Sequence, residues 1–431
     1  MNKIKIFTYI LLTCFGGFIV KFYKILIFFI IILFLFISPI YADDEEYETF
    51  SDFSTVTNNY STNSEPSINA KSAIIYERSS GYILYGKAEN EKRKMASTTK
   101  IMTAIIVIEN CNLNDIVTVS SKAAGTGGSR LGLHTDDKIS IKDLLYGLLL
   151  CSGNDAAVAL AETVGGNVEN FANLMNEKAI SLGLSSTHFV TPHGLDDDNH
   201  YTTAYELALI TNYALSNPTF CNFVGTKNYT ISINNYPKSL SNTNELLGYL
   251  NGVYGVKTGF TNGANRCLVT AVKRNNMDLI CIVLGSDTKK DRTKDSIALI
   301  EYAFNNFSMV NIQEKISSEF SNWKLCNSSS FTVEKGTSNN IDAVLEDLPY
   351  NFLPINSNYT DNISIYIYCN TNFKAPLPAH SNIGYLIVSV NNKTILTLNI
   401  YNSNNIDIKS SRLFYKDILA KYTYYLESVF Y

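Results

Sequence analysis

The chain opens with two long apolar stretches and then changes to a mixture of polar and apolar segments. The second stretch, residues 25–37, has no charged residue, follows two lysines and leads into the segment Ser38-Pro39-Ile40-Tyr41-Ala42. A basic flank, an apolar run and a small residue at its end are typical of a secretory signal, which predicts cleavage after Ala42. For the upstream run, residues 6–20, two interpretations stay open: a misassigned start and a retained anchor.

The apolar pattern after this segment predicts alternating types of structure. Residues 43–70 are acidic and rich in Ser, Thr and Asn, which is the composition of a disordered linker. Two short runs, residues 73–77 and 82–86, flank Ser79-Ser80-Gly81 and predict a β-hairpin. Residues 101–108 are almost continuously apolar and predict a helix of three turns. A largely helical region is expected from about residue 141 to residue 215.

The first candidate chemical motif precedes the helix predicted for residues 101–108. Ser97 lies just before it, and Lys100 follows three residues later. Residues three apart are neighbours on one helix face, so the hydroxyl and the amine are expected to lie side by side. A serine hydroxyl needs a base, and a neutral lysine can be one; burial and a second cation, for which Lys257 is the candidate, favour the neutral amine. Alone, the spacing is more typical of an N-cap serine and a solvated lysine.

The second motif, Ser152-Gly153-Asn154, separates two predicted helices at residues 144–150 and 156–164. It is expected to form a tight turn from which polar side chains emerge out of an apolar region. By itself this pattern also fits a capping turn in which Asn154 or Asp155 is the N-cap.

The third motif, Lys257-Thr258-Gly259, lies in a run that predicts a strand. Residues 267–272 and 279–284 predict two more strands, so the three together form an antiparallel meander. The glycine permits close approach of another backbone or a ligand, and the lysine and threonine suit a substrate carboxylate. Seen alone, the lysine would be an edge-strand residue that maintains solubility. The three motifs together supply a nucleophile, a base, a proton carrier and an anion clamp for acyl transfer.

These motifs resemble those of the serine D-alanyl-D-alanine carboxypeptidases, the small penicillin-binding proteins. The resemblance runs from about Ala73 to Phe307 and is dense. It includes residues 144–149, 152–157, 175–179, 187–189, 192–197 and 257–261, with a looser match at 374–377 and 383–386.

The resemblance implies a role for each motif residue. Ser97 attacks the carbonyl between the two terminal D-alanines of a peptidoglycan stem peptide, and Lys100 takes the serine proton. Ser152 passes a proton toward the leaving D-alanine, while Asn154 holds the substrate backbone and the lysine. A β-lactam acylates Ser97 in the same way and leaves slowly.

The resemblance also implies how the substrate is bound. Lys257 adds positive potential, Thr258 contacts the terminal carboxylate, and Gly259 lies in the same strand. The backbone N–H groups of Ser97 and Phe260 form the oxyanion hole, in which one donor is typically worth about 3–4 kcal/mol of barrier. Arg292 lies at the spacing after Lys257 where the family carries an arginine that steers the carboxylate.

The fold class that follows is a mixed α/β (α+β) domain of the serine β-lactamase and penicillin-binding-protein type, an antiparallel sheet with helices. A small all-β domain is expected after it. The predicted boundaries are a signal at 1–42, a linker at 43–70, the catalytic domain at 71–308, the β domain at 309–406 and an amphipathic helix at 407–431. That helix combines aromatic residues with lysines, which suits a membrane surface; packing on the β domain is the alternative.

The composition narrows the classes of partner and ligand that the chain is expected to bind. The chain has 35 Lys+Arg and 39 Asp+Glu, and this balance argues against nucleic acid. His193 and His200 bracket three aspartates, but their spacing fits no usual zinc site, so neither a metal nor a cofactor is predicted. The eight cysteines are scattered and mostly in apolar contexts, so buried free thiols are expected, with a Cys267–Cys281 bond as the alternative.

The expected activity is therefore that of a serine D,D-carboxypeptidase, exported to the extracytoplasmic face of the membrane or secreted. Its predicted partners are stem peptides ending in D-Ala-D-Ala, β-lactams and the membrane surface. A D,D-endopeptidase of the same fold stays open as an alternative. So does a catalytically silent protein that binds the cell wall or β-lactams, although three intact motifs argue against it.

Overall fold

The structure, a computed structural model, describes residues 65–359 and 362–430. The predicted signal segment and most of the predicted linker lie outside these residues. The described residues comprise a region of helices around an antiparallel sheet, followed by a region made mainly of strands. This arrangement confirms the predicted fold class.

Most helices of the described residues lie in the first region. They are α1 Lys100–Asn110, α2 Ser121–Ala124, α3 Ile141–Leu149, α4 Asn154–Gly165, α5 Val168–Ser181, α6 Ala204–Leu215, α7 Pro218–Val224 and α8 Lys289–Asn306. Helix α9 Ile312–Asn327 belongs to the second region, and α10 Ser411–Phe430 follows it. A 3-10 turn, Ala96–Thr99, leads directly into α1.

The strands divide between the two regions. Those of the first are β1 Ser72–Glu77, β2 Ile83–Lys87, β3 Ile116–Thr118, β4 Lys138–Ser140, β5 Asn228–Ile233, β6 Tyr236–Ser241, β7 Val253–Thr261, β8 Asn265–Arg274 and β9 Met277–Ser286. Those that follow are β10 Phe307–Asn311, β11 Thr332–Glu334, β12 Ala343–Leu345, β13 Phe352–Asn356, β14 Ile363–Cys369, β15 Asn372–Lys374, β16 Asn382–Val390 and β17 Lys393–Asn402.

Polar side chains determine where several helices begin. The hydroxyls of Ser140, Thr203 and Thr288 accept hydrogen bonds from first-turn amides of α3, α6 and α8, and the Asn217 side chain does the same for α7. These bonds pair backbone N–H groups that have no partner inside the helix.

The central sheet has the strand order β2-β1-β9-β8-β7, with antiparallel pairing throughout. The predicted hairpin forms one edge, and the three strands of the predicted meander are adjacent. Because β1 pairs with β9, the sheet is assembled from both ends of the region. Strand β7 forms the other edge, and it carries the third motif.

Alternation along β8 places side chains in two separate cores. Cys267, Val269 and Ala271 belong to the core shared with the helices, whereas Leu268 and Val272 belong to the core beneath α8. Successive side chains of a strand point to opposite faces, so one strand supports both layers.

Cys267 and Cys281 are free thiols as predicted, and the alternative of a disulfide between them is wrong. Cys281 lies opposite Thr270 in the β8–β9 register, and it belongs to the core beneath α8 rather than to the helical core. Side chains on opposite faces of a sheet cannot meet in a disulfide. Both cysteines are buried free thiols, and burial raises the pKa of Cys267 to about 11.

The second region has its own apolar core, built on the sheet β12-β17-β16-β14. Helix α9, which the sequence did not predict, contributes Ile312, Ile316 and Phe320 to this core. These residues recur every fourth position and mark one helix face. The rest of the helix is largely polar, so its apolar signal is weak.

Helix α10 closes the described residues. Its large apolar side chains are exposed, among them Phe414, Ile418 and Tyr422. Among residues 65–359 and 362–430, no helix has the length and apolar character to cross a membrane.

Candidate active site

Ser97 lies in the 3-10 turn that precedes α1. The sequence predicted it at or inside the first helical turn. Its neighbours Met95, Ala96 and Thr98 are buried, whereas Ser97 is partly exposed. The Thr98 amide and hydroxyl both bond to the Met95 carbonyl, at 3.2 and 2.6 Å. The turn is therefore anchored by its buried residues, and its serine faces outward.

The Lys100 amine connects the first two motifs. Its Nζ donates to Ser97 Oγ at 2.8 Å and to Asn154 Oδ1 at 2.7 Å. It also donates to the His193 carbonyl at 3.0 Å. Lys100 is fully buried, so its nitrogen is held by protein acceptors at a fixed distance from the serine. The predicted proximity of serine and lysine is present in the structure.

The second motif forms the turn between α3 and α4. Ser152 is buried and adopts a left-handed backbone with φ of 62°, and Asn154 begins α4. Asn154 Nδ2 donates to the Gly127 carbonyl at 2.8 Å. Because this bond uses the amide nitrogen, the amide oxygen is left to face Lys100.

The third motif lies against the turn that carries Ser97. A Cβ added to Gly259 would lie 3.1 Å from the Ser97 amide nitrogen and 3.2 Å from the Met95 carbonyl. Strand β7 therefore brings its backbone close to the serine amide, and glycine provides the room. Lys257 is buried, with its Nζ donating to the Thr258 carbonyl at 3.0 Å.

The side chains at the end of β7 are held by neighbouring segments. The Thr258 and Thr243 hydroxyls are 2.7 Å apart, within hydrogen-bond distance. The Phe260 ring lies under the Arg266 guanidinium, whose carbon is 3.8 Å from the ring centroid, a cation–π contact. The structure thus gathers all three motifs at the edge of the sheet marked by β7.

Residues 59–288 match the sequence family described as D-alanyl-D-alanine carboxypeptidase, over more than half of the chain. The chain belongs to this family. Among its curated relatives, the carboxypeptidase DacF of Bacillus subtilis (strain 168) is 38% identical over 250 residues, covering 57% of this chain and 64% of that protein. The alignment thus spans just under two thirds of the Bacillus protein. DacA of Haemophilus influenzae is 31% identical over 355 residues, covering 79% of this chain and 86% of its own.

Solved structures of this family agree with the fold. Penicillin binding protein 5 from Haemophilus influenzae has a TM-score of 0.66 and 28% identity, covering 80% of this chain and 99% of that chain. The Streptomyces K15 DD-transpeptidase has a TM-score of 0.54 and 35% identity, covering 56% of this chain and 99% of its own. The longer match to penicillin binding protein 5 includes part of the second region.

In this carboxypeptidase-family chain Arg292 has an internal partner that the sequence did not reveal. It is buried in the first turn of α8, and its guanidinium pairs with the Glu245 carboxylate. The Thr293 hydroxyl also donates to Glu245, at 2.5 Å. Burial would raise the pKa of Glu245, but the arginine and the hydroxyl hold it below its usual range. The assignment of Arg292 to the substrate carboxylate stays a prediction.

His200 and the loop that carries His193 contact the 3-10 turn of Ser97, a role that the sequence also did not reveal. His200 Nδ1 accepts from the Val190 amide at 3.0 Å, so its proton lies on Nε2, which donates to Thr99 Oγ1 at 2.8 Å. That hydroxyl donates in turn to the Ala96 carbonyl at 2.8 Å. This chain of bonds fixes the residue just before Ser97.

The loop that carries His193 is closely packed against the same turn. At Gly194 the backbone has φ of 84°, and an added Cβ would lie 1.9 Å from the Ala96 carbonyl oxygen. Only glycine fits there. Burial and the nearby Lys100 lower the pKa of His193 to about 3, so its ring is neutral near pH 7. Within the described residues no group of three or more His, Cys, Asp or Glu is placed to hold a metal.

Proposed function

We propose that this chain is a serine D,D-carboxypeptidase that removes the terminal D-alanine of peptidoglycan pentapeptides through an acyl-enzyme on Ser97. The observation that carries the proposal is the position of the Lys100 amine, 2.8 Å from Ser97 Oγ and 2.7 Å from Asn154 Oδ1. An amine held there by buried acceptors is in reach of the serine proton, which is the geometry that general-base activation requires.

In the proposed acylation step Lys100 is neutral and donates its two hydrogens to Asn154 Oδ1 and the His193 carbonyl, so its lone pair faces Ser97 Oγ. It takes the serine proton while that oxygen attacks the carbonyl carbon of the scissile bond. The carbonyl electron pair moves to its oxygen, which the N–H groups of Ser97 and Phe260 stabilise. The close contact of Gly259 with the Ser97 amide supports this pairing of donors. The carbon–nitrogen bond then breaks, and Ser152 passes the proton to the leaving D-alanine.

In the proposed deacylation step, water attacks the ester carbonyl and loses a proton to the same amine. The ester carbon–oxygen bond breaks, and the proton returns to Ser97 Oγ. A β-lactam follows the first step but leaves a bulky acyl group on the serine, so the second step becomes slow.

We assign the substrate carboxylate to the part of β7 that carries the third motif. Thr258 and Lys257 provide a hydroxyl and a positive charge there, and both side chains are held by the contacts described above. A nearby positive charge favours the charged form of a carboxylate. Peptides that end in a free carboxylate are therefore the proposed substrates.

The activity is tested with fluorescent penicillin and with a pentapeptide that ends in D-Ala-D-Ala. We expect the chain to be labelled covalently and to release one D-alanine per peptide, and we expect the Ser97→Ala variant to do neither. Labelling of that variant would place the nucleophile elsewhere. Labelling of the unaltered chain without peptide turnover would favour a silent binding protein, and cleavage of cross-linked dimers in place of pentapeptides would favour an endopeptidase.

We also propose that the chain is exported and that α10 lies on a membrane surface. Its exposed apolar residues, Phe414, Ile418, Tyr422 and Tyr425, alternate with lysines, the combination that suits an interfacial helix. We expect the chain to cosediment with anionic lipid vesicles and a variant lacking residues 411–431 to stay in solution. N-terminal sequencing of the protein from the cell envelope tests cleavage after Ala42.

A further inference from the structure

The Asp155 carboxylate lies beside the second motif and has no role in the proposed chemical steps. Its side chain is fully buried directly after Asn154, and the half-exposed Arg130 guanidinium lies 3.9 Å from Oδ2. Four backbone N–H groups donate to it, from Leu131 at 2.7 Å, Gly132 at 2.7 Å, Leu133 at 2.9 Å and Ala156 at 2.9 Å. A buried carboxylate is costly unless it is fully hydrogen-bonded, and here both oxygens have partners.

Three of these four donors belong to one loop, residues 127–133, which lies beside the candidate active site. Leu131 and Leu133 are buried in the helical core, so the carboxylate and the apolar side chains fix this part of the loop together. Gly153 also packs closely against this hydrogen-bonded contact. An added Cβ would be 2.9 Å from Asp155 Oδ1 and 3.0 Å from the Leu131 amide nitrogen.

The other end of this loop holds Asn154. The Ser129 carbonyl accepts from the Asn154 backbone amide at 2.8 Å, and the Gly127 carbonyl accepts from Asn154 Nδ2 at 2.8 Å. The loop therefore determines which way the Asn154 side-chain amide is turned. With nitrogen bound to Gly127, the oxygen remains for Lys100, at 2.7 Å.

We propose that Asp155 is a positioning residue for acylation: its carboxylate fixes loop 127–133, and the loop in turn orients the Asn154 amide toward Lys100. This inference rests on the proposed function. Asp155 has no place in the chemical steps themselves, and it acts only through Asn154. A carboxylate is needed because only a residue with acceptors alone can receive four N–H groups, whereas an asparagine would present its own NH₂ to some of them.

The test is a double-mutant cycle on the rate of acylation by fluorescent penicillin, using full-length chains. We expect Asp155→Asn to slow acylation by about 10²-fold, since small displacements of catalytic groups cost this much. We expect the double variant Asn154→Ala/Asp155→Asn to react within about twofold of Asn154→Ala alone. Two residues that act through one contact give such non-additive losses, whereas independent losses add.

Glu77 provides the matched control. It is also a buried carboxylate, and it accepts from the Ser79 and Ser80 amides in the turn between β1 and β2. We expect Glu77→Gln to lower the melting temperature much as Asp155→Asn does. Its acylation rate should remain within about twofold of the unaltered chain, both alone and in the Asn154→Ala background.

Gly128→Ala tests the same connection without altering the carboxylate, in case Asp155→Asn does not fold. Its backbone has φ of 82°, and an added Cβ would lie 2.5 Å from Asn154 Nδ2. We expect slow acylation that is again non-additive with Asn154→Ala. Additive losses, or normal acylation by folded Asp155→Asn, would overturn the inference. Absence of labelling at Ser97 in the unaltered chain would instead reject the proposed function.

Discussion

The two regions of the molecule differ in what they bury. The first region buries eight Asp, Glu, Lys and Arg side chains, which are Glu77, Lys100, Asp137, Asp155, Glu206, Lys257, Arg292 and Asp295. In the second region, among residues 309–359 and 362–406, no charged side chain is buried, and the buried polar residues are Ser389 and Asn402. Each region nevertheless has an extensive apolar core. The difference lies in the charged groups that the first region adds to its core.

The buried charges of the first region hold their partners in place. A buried charge costs several kcal/mol unless it is paired, so it persists only where it has partners. Glu206 accepts from the Ser185 and Ser186 amides, and Asp295 accepts from the Asn69 and Ala70 amides. These carboxylates hold irregular backbone in place. Substitutions of first-region residues that contact the three motifs are therefore expected to affect chemistry, and those in the second region to affect stability alone.

The largest expected effect is that of removing the Lys100 amine. Lys100→Ala should slow acylation by penicillin about 10³-fold, within the range of general-base catalysis, while leaving substrate affinity largely intact. The measurement is the rate of covalent labelling at neutral pH. Lys324→Ala is the matched control, because Lys324 forms an exposed pair with Asp342 in the second region. Normal labelling of Lys100→Ala would exclude this amine as the base.

A smaller loss is expected from filling the space at Gly194. Its added Cβ would overlap the Ala96 carbonyl, which precedes Ser97, so Gly194→Ala should displace the nucleophile and slow acylation about 10²-fold. Gly183→Ala is the control, since its φ of 75° is similar but no atom lies within 4 Å of the added Cβ. Equal losses in the two variants would show that backbone strain, and not the overlap, is responsible.

In the second region, the Leu386→Ala substitution should separate stability from chemistry. Leu386 is fully buried in the core of that region, and such a substitution typically costs about 2–5 kcal/mol of unfolding free energy. We expect acylation by the folded protein to remain within about twofold. Denaturant titration and penicillin labelling on the same sample measure both. A marked loss of acylation without unfolding would mean that the two regions are coupled.

The remaining expected effect is a pH dependence of stability that arises in the first region. Burial lowers the pKa of His193 to about 3 and of His200 to about 4. Since unfolded histidines titrate near 6.5, the unfolded chain alone takes up these protons as pH falls from about 6.5 to 4, so stability falls with it.

Melting temperatures across this range test the prediction. The decline should be shallower for His200→Gln and unchanged for His380→Gln, because His380 is exposed in the second region. An equally steep decline in His200→Gln would refute the contribution of this histidine.

Sequence reasoning succeeded where the signal is local. Ser97 and Lys100 lie three residues apart at a helix start, and their proximity follows from helix geometry. The strands of the meander have long apolar runs, and they are adjacent as predicted. The three motifs meet because β7 lies against the 3-10 turn, which the family resemblance implied and the local patterns alone did not.

The features that the sequence did not reveal depend on distant or weakly marked partners. Glu245 and Arg292 are 47 residues apart, and Asp155 bonds amides 22 to 24 residues earlier. A backbone amide carries no sequence signal, so a carboxylate that binds amides resembles any surface acid. Helix α9 was missed because its three core residues are separated by polar ones.

The proposed function depends above all on Ser97 being the nucleophile, activated by the adjacent amine. The most direct measurement is mass spectrometry of tryptic peptides after reaction of the full-length chain with penicillin. We expect the penicilloyl mass on Ser97 in the tryptic peptide of residues 95–100, and no such mass on the corresponding peptide of Lys100→Ala, residues 95–122, on the same time scale. An adduct on any other residue, or an adduct that forms as fast without the amine, would contradict it.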